Sequence, residues 1–279
     1  MASSETALTR QLSAHEANEH TVRGPHLDVS FLAGVIIALG AAIVGIRATG
    51  VSLGYFLQPT GALIVLGGTA GVVLITTPRH SLFHSLRRVS QLISASEIDR
   101  NDLLDEIVHS AREARRGGIL SLEPAIPAIR HKFLADALQL ALDIGNREEV
   151  KEVLETDLRM KERQGESDAK TLEVAGGFAP TLGIIGTVVG LIDVLRQFSN
   201  LQSVGSGIGT AFVSTIYGLA LANLLLLPAA HRIRARVAEN FEIQELVLEG
   251  VLSIMDGLHP SLIRLRLNAF LRKPKRRDA

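Results

Sequence analysis

Apolar residues gather into four long runs, at about 27–46, 55–77, 172–195 and 204–230. Each approaches the ~20 residues a helix needs to cross a bilayer. A short linker around 50–54 makes the first two a hairpin. Between the second and third runs the pattern changes to helical periodicity. Ile98, Leu104, Ile107, Ala111 and Ala114 form one stripe, and Leu138, Leu142, Val150, Val153, Leu154 and Leu158 form another. Gly117-Gly118 and Glu123-Pro124-Ala125-Ile126-Pro127 interrupt the stripes and mark turns. Beyond the fourth run, Val247, Val251, Ile254 and Leu258 predict an amphipathic helix packed on the insertion or on a neighbouring subunit. No segment alternates as a strand does. The predicted fold is all-α: a polytopic membrane protein with four transmembrane helices and a helical insertion between the second and third. Its parts are a polar arm (1–26), a membrane hairpin (27–77), a helical domain (78–171), a second membrane pair (172–230), and an amphipathic helix with a basic tail (231–279).

Charge then orients the chain. Arg79, Arg87 and Arg88 follow the second run and Arg232, Arg234 and Arg236 follow the fourth, whereas the short connecting loops carry little beyond Arg47 and Arg196. The positive-inside rule places the insertion and both termini in the cytoplasm. The formal net charge is zero, so the basic footprint of a nucleic-acid binder is missing. The polar start of the chain does not read as a cleaved signal peptide. The basic run 272–277 reads as a solvated or lipid-surface tail.

Enzymatic readings find little. There is no cysteine, and the nine histidines form no HExxH motif. Gly67-Gly68-Thr69-Ala70-Gly71 lacks the lysine of a phosphate loop. Neither a resident cofactor nor a metal is expected.

The third and fourth runs carry the chemistry. Gly183, Gly186 and Gly190 share one helix face with Thr187 beside them, and Ala211, Thr215, Gly218 and Ala222 share another with Ser214 alongside. Small residues at such spacing let helix backbones approach closely. Two readings are open: a packing seam, or hydroxyls of Thr187, Thr215 and Ser214 lining a cation route. Pro180 interrupts the helical hydrogen bonding of the third run, so neighbouring groups must satisfy the freed carbonyl. None of the four runs has a carboxylate near its middle; Asp28, Glu173 and Asp193 lie close to predicted ends. A protein that moves cations usually keeps an ionisable group in the membrane. If this chain does so, the carboxylate comes from another polypeptide.

These features together resemble the flagellar-motor stator subunits of the MotA and PomA type and, more distantly, the ExbB and TolQ subunits. The resemblance is carried by 180–192, by 209–228 and by Arg115-Arg116-Gly-Gly-Ile-Leu-Ser-Leu-Glu123. Two spans before the main insertion match the stator branch, where the ExbB and TolQ branch has one. The resemblance implies an inner-membrane homo-oligomeric ring, a pentamer in the family, around a MotB-type partner whose single span supplies the aspartate. It implies ion-driven torque on the rotor protein FliG, with Arg115, Arg116 and Glu123 facing the rotor. Pro180 and Pro228 match the family's functional prolines. Thr187 and Thr215 match hydroxyl positions of sodium-type stators, which favours transported Na+ over H+. An energising complex of the ExbB or TolQ kind and a passive membrane scaffold are the alternatives.

Overall fold

A computed structural model describes residues 26–27, 29–92, 94–95, 99–196 and 201–271. The polar arm up to residue 25, Ile98 and the basic run 272–277 lie outside them. The regular structure of the described chain is helical except for a two-residue antiparallel ladder between β1 (His26–Leu27) and β2 (Ser94–Ala95).

Helix α1 spans Val29–Ala48, 20 residues, and a short 3-10 turn Leu53–Phe56 follows it. Helix α2 is built from three contiguous pieces: Pro59–Ala62, a π-helical stretch Leu63–Gly67, and Gly68–Thr76. Then come α3 (Arg79–Leu92), α4 (Arg100–Gly117), α5 (Lys132–Ile144) and α6 (Arg147–Arg196). Helix α7 (Leu201–Ala220) passes through a π stretch, Leu221–Leu226, directly into α8 (Leu227–Met255), and α9 (Pro260–Leu271) ends the described chain. Among the described residues, three helical stretches are long and apolar enough to cross a membrane: Leu53–Thr76, Arg147–Arg196 and Val204–Met255. The stretch Leu32–Ala48 of α1 is a shorter apolar helix.

The expected helical recurrence from Leu138 to Leu158 is divided between two helices, α5 and α6. Gly145 takes the left-handed conformation (φ 68°) and its N–H reaches the Ala141 carbonyl, which closes α5. The Asn146 side chain then accepts from the N–H groups of Glu148 (3.0 Å) and Glu149 (3.4 Å), opening α6. Glycine at the helix end and asparagine as the next cap each satisfy otherwise unpaired backbone groups. Within α6, Val153 falls off the face that Val150, Leu154 and Leu158 bury, and it is 47% exposed.

A second difference concerns the boundaries between membrane and polar parts. Helix α6 has 50 residues and at 1.5 Å per residue is about 75 Å long, so one rod joins the polar domain to the third span. The fourth span continues through α8 in the same way.

Two apolar clusters hold the polar domain. The larger joins Leu104 and Ile107 of α4, Leu134 and Leu138 of α5, Val150 and Leu154 of α6, Leu246, Val247 and Val251 of α8, and Ile263 and Leu267 of α9. The amphipathic helix beyond the fourth span thus packs on the insertion, as its stripe predicts. The smaller cluster joins Ala169 and Leu172 of α6 to Ala230, Ile233 and Val237 of α8, where Gly165 lets Val237 approach. A Cβ on Gly165 would lie 2.3 Å from Val237 Cγ2.

The α5 cap is sensitive to pH. Nδ1 of His131 accepts a hydrogen bond from the Leu134 N–H at 3.3 Å. Burial lowers the His131 pKa, opposed by the charge of Glu106. Its folded-state pKa is therefore below the unfolded value, so its stabilising contribution is complete above pH ~6.5 and is lost as pH falls through the depressed folded value. Thermal melts of the purified complex should show stability falling below pH ~6.5, with His131→Asn, which keeps a capping acceptor, flattening that dependence. An unchanged pH profile in the variant would contradict the cap assignment.

Candidate functional site in the seam of the third and fourth spans

Helices α6 and α7 meet along the two small-residue stripes, and the contact is backbone to backbone. Gly183, Gly186, Gly190, Ala211, Gly218 and Ala222 are all buried. A Cβ on Gly218 would lie 2.5 Å from the Ala179 carbonyl oxygen, one on Gly190 2.7 Å from the Ala211 nitrogen, and one on Gly183 3.0 Å from the Ser214 carbonyl oxygen. No side chain fits in such gaps, so these positions set the distance between the helices. The opposite face of α6 presents Ile184, Ile185, Val188, Val189 and Ile192 outward, a surface suited to lipid or a neighbouring helix.

Three hydroxyls occupy the seam, in two different ways. Thr187 Oγ1 lies 2.5 Å from Thr215 Oγ1, 3.0 Å from the Ala211 carbonyl oxygen and 3.1 Å from the Gly183 carbonyl oxygen. Each threonine has one proton to donate, so this group holds more acceptors than donors. Both threonines are half-exposed. Ser214 is fully buried, and its Oγ donates to the Thr210 carbonyl at 2.6 Å. It is wedged between glycines of two helices: a Cβ on Gly61 of α2 would meet Ser214 Oγ at 2.5 Å, and one on Gly186 would meet Ser214 Cβ at 2.5 Å. The three hydroxyls expected on one route therefore divide into a half-exposed pair and an enclosed one.

The prolines lie close to this seam. Pro180 sits inside α6 without ending it, and its ring leaves the Gly176 carbonyl without the usual helical donor. The Ala179 carbonyl that crowds Gly218 directly precedes Pro180. Pro228 follows the π stretch in α8. Gly176 and Leu227 touch closely enough that a Cβ on Gly176 would lie 2.8 Å from Leu227 Cδ2, so the two proline turns are neighbours in space. π turns mark places where a helix departs from its regular ladder, often at functional positions.

Several contributors escaped the sequence reading. The Tyr217 hydroxyl donates to the Phe56 carbonyl and accepts from the Gln58 N–H at 3.3 Å, tying the turn between the first two spans to α7. Below the seam, Asp168 of α6 is completely buried, with Arg88 Nε of α3 2.6 Å from its Oδ2 and Gln164 Nε2 donating to its Oδ1 at 3.1 Å. The Arg88 contact lies off the hydrogen-bond axis. Arg234 of α8 donates to Glu166 at 3.0 Å and to Glu173 at 2.6 Å, clamping α8 to α6. These two hydrogen bonds raise the Arg234 pKa. Arg88 and Arg234 read in the sequence only as topological charges; their buried or clamped partners lie 80 and about 60–70 positions away along the chain.

The third expected constellation stands apart from the seam, at the end of α4. Gly118 has φ 80° and reverses the chain, and Ser121 Oγ donates back to the Gly118 carbonyl at 2.7 Å. Arg115, Arg116 and Glu123 are all exposed around that reversal.

Among the described residues no group of three or more His, Cys, Asp or Glu side chains is arranged to hold a metal ion.

Residues 125–245 match the model of the MotA/TolQ/ExbB proton channel family, and residues 32–117 match that of the motility protein A N-terminal domain. The chain is 30% identical over 251 residues to motility protein A of Bacillus subtilis, covering 88% of this chain and 91% of that relative. It is 29% identical over 250 residues to the chemotaxis protein PomA of Vibrio alginolyticus, covering 90% and 98%. Its structure resembles a chain of the C. jejuni MotAB structure with TM-score 0.83 at 25% identity, covering 91% of this chain and 99% of that one. The corresponding values for the Bacillus subtilis flagellar MotAB stator complex are 0.79, 29%, 86% and 94%.

Proposed function

This chain belongs to the MotA/TolQ/ExbB proton channel family, in its motility protein A branch, and we propose that it passes sodium along the seam of its third and fourth spans and turns that flow into torque. It is a stator subunit of the flagellar motor, acting in complex with a MotB-type partner, and it is not an enzyme. The match of residues 32–117 to the motility protein A N-terminal domain favours this reading over the ExbB or TolQ kind.

The observation that carries the proposal is the half-exposed oxygen cluster at Thr187. The Thr215 hydroxyl and the Ala211 and Gly183 carbonyl oxygens lie within 3.1 Å of the Thr187 hydroxyl oxygen, in a seam lined mainly by glycine and alanine. Oxygen donors suit a hard cation such as sodium. Neither span supplies a mid-membrane carboxylate among its described residues, so the partner's single span brings the aspartate against Thr187 and Thr215. Ser214, enclosed between Gly61 and Gly186, fixes helix packing and does not touch the ion.

A cation descending ~100 mV releases roughly 2.3 kcal/mol per charge before any concentration term. Turning that into motion needs an element with two arrangements whose balance ion occupancy shifts. The adjacent Pro180 and Pro228 turns supply the bending points, and the unbroken α6 and α7–α8 rods carry the change into the helical domain. That domain and both termini lie in the cytoplasm of a cell whose inner membrane holds the four spans, α1 included. Arg115, Arg116 and Glu123 face FliG, and copies of the chain form a ring, five in number, around two partner chains.

Co-expression with the MotB-type partner tests the assembly. Native mass measurement of the purified complex should give a ring of several copies of this chain with two partner chains. A one-to-one heterodimer would overturn the ring.

A further inference from the structure

A cavity of about 480 Å³ opens between the C-terminal half of α4 and the start of α9, and its walls carry Arg112, Arg115, Arg116 and Arg264 with His259 and Ser261. Among the described residues no carboxylate lines it. Arg264 pairs with Asp105, which stands outside the lining. The cavity therefore gathers four guanidinium groups, of which that of Arg264 is paired with Asp105. The amides of the first α9 turn do not explain the concentration of charge: the Ser261 N–H goes to His259 Nδ1 at 3.2 Å, and those of Leu262 and Ile263 go to the His259 carbonyl at 2.8 and 3.0 Å. The binding groups are the arginine side chains.

We infer that this cavity binds a small anion carrying two or more phosphoryl groups. Guanidinium forks match phosphoryl oxygens in pairs, and several around one concavity focus a strong positive potential. One phosphate carries about two negative charges, too few to balance Arg112, Arg115 and Arg116 even with Arg264 held by Asp105, and the cavity is in the size range of small-molecule sites. Val108 and Pro260 give it an apolar wall, which an organic group attached to the phosphates would cover. Arg115 and Arg116 belong both to this cavity and to the proposed rotor face. A bound polyphosphate would thus occupy the charges that meet the rotor, a regulatory consequence that rests on the rotor reading, whereas the binding itself does not.

The test is calorimetric titration of the purified complex of this chain and its partner with pyrophosphate, inorganic phosphate and a synthetic poly-glutamate peptide. Pyrophosphate should bind at least tenfold more tightly than phosphate. Arg112→Ala and Arg264→Ala should each weaken it at least tenfold, with thermal melts checking that both variants are folded. Arg264→Lys, which keeps the charge and loses the fork, should fall between wild type and Arg264→Ala. Equal affinities for phosphate and pyrophosphate, pyrophosphate binding that ignores the folded variants, or binding of the acidic peptide alone would each overturn the inference. Failure of the rotor reading would leave the titration unchanged, so the two are separable.

Discussion

Gly218→Ala abolishes motility, Gly190→Ala does so nearly as completely, and Gly183→Ala slows cells without stopping them. This order follows from what each new Cβ would meet: the Ala179 carbonyl oxygen at 2.5 Å, the Ala211 nitrogen at 2.7 Å, and the Ser214 carbonyl oxygen at 3.0 Å. All three contacts are with backbone, which cannot rotate aside, so α6 and α7 must separate, and least for Gly183, whose contact is the longest. Overpacking of a close contact typically costs about 1–3 kcal/mol. Separation does further harm here, because the Thr187–Thr215 pair lies between Gly183 and Gly190 on the same seam. A shift of a few tenths of an ångström opens the 2.5 Å oxygen contact. Swimming speed measured with the yield of assembled complex separates the two effects: assembly should survive in Gly183→Ala and fall in Gly218→Ala. Wild-type speed for Gly218→Ala would mean that the seam is looser than its geometry.

Arg88→Ala destabilises the protein more than Asp168→Asn does, although both cut the same ion pair. Asp168 is fully buried while the Arg88 side chain is 34% exposed. Without Arg88, a carboxylate is left inside the protein with Gln164 as its remaining hydrogen-bond donor, and breaking a buried pair in this way costs about 3–5 kcal/mol. Without the Asp168 charge, Arg88 can turn toward water and the loss is smaller, on the order of 1–2 kcal/mol. The pair joins α3 to α6 just below the third span, so its loss should also loosen the coupling between seam and helical domain. Chemical or thermal unfolding of the two variants measures the difference. Equal losses would show that Arg88 is as trapped as its partner.

Much of this architecture is legible in the chain. The apolar runs mark the spans, the glycine and alanine spacing marks the seam, and the stripe from Val247 to Ile254 marks a helix that closes the polar core. The break at Gly145 was also legible, since Ile144-Gly145-Asn146-Arg147-Glu148-Glu149 combines a left-handed terminator, a capping side chain and an acidic first turn. Helical recurrence from Leu138 to Leu158 leaves that punctuation unmarked, and it includes Val153, which stands off the buried face of α6. The π stretches at Leu63–Gly67 and Leu221–Leu226 have no compositional sign, because any apolar helix can take an extra residue where its neighbours demand it. Asp168 was hidden for another reason. On its own helix it resembles one more charge among Glu162, Glu166 and Lys170, and its burial beside Arg88 of α3 depends on elements distant in the chain. In the seam, spacing foretold that Thr187 and Thr215 share a face. It could not distinguish their half-exposed position from the enclosed position of Ser214, which depends on Gly61 from a different span.

The central claim is that the oxygen cluster at Thr187 and Thr215 handles a sodium ion that drives the motor. The most direct measurement is the swimming speed of cells whose only stator is this chain with its cognate partner, with external sodium stepped from low to high at fixed pH, for wild type and for the Thr187→Val, Thr215→Val double variant. The predicted result is a wild-type speed that rises with sodium and vanishes without it, and an assembled double variant that has lost that response. A wild-type speed indifferent to sodium that collapses when a protonophore is added would contradict it.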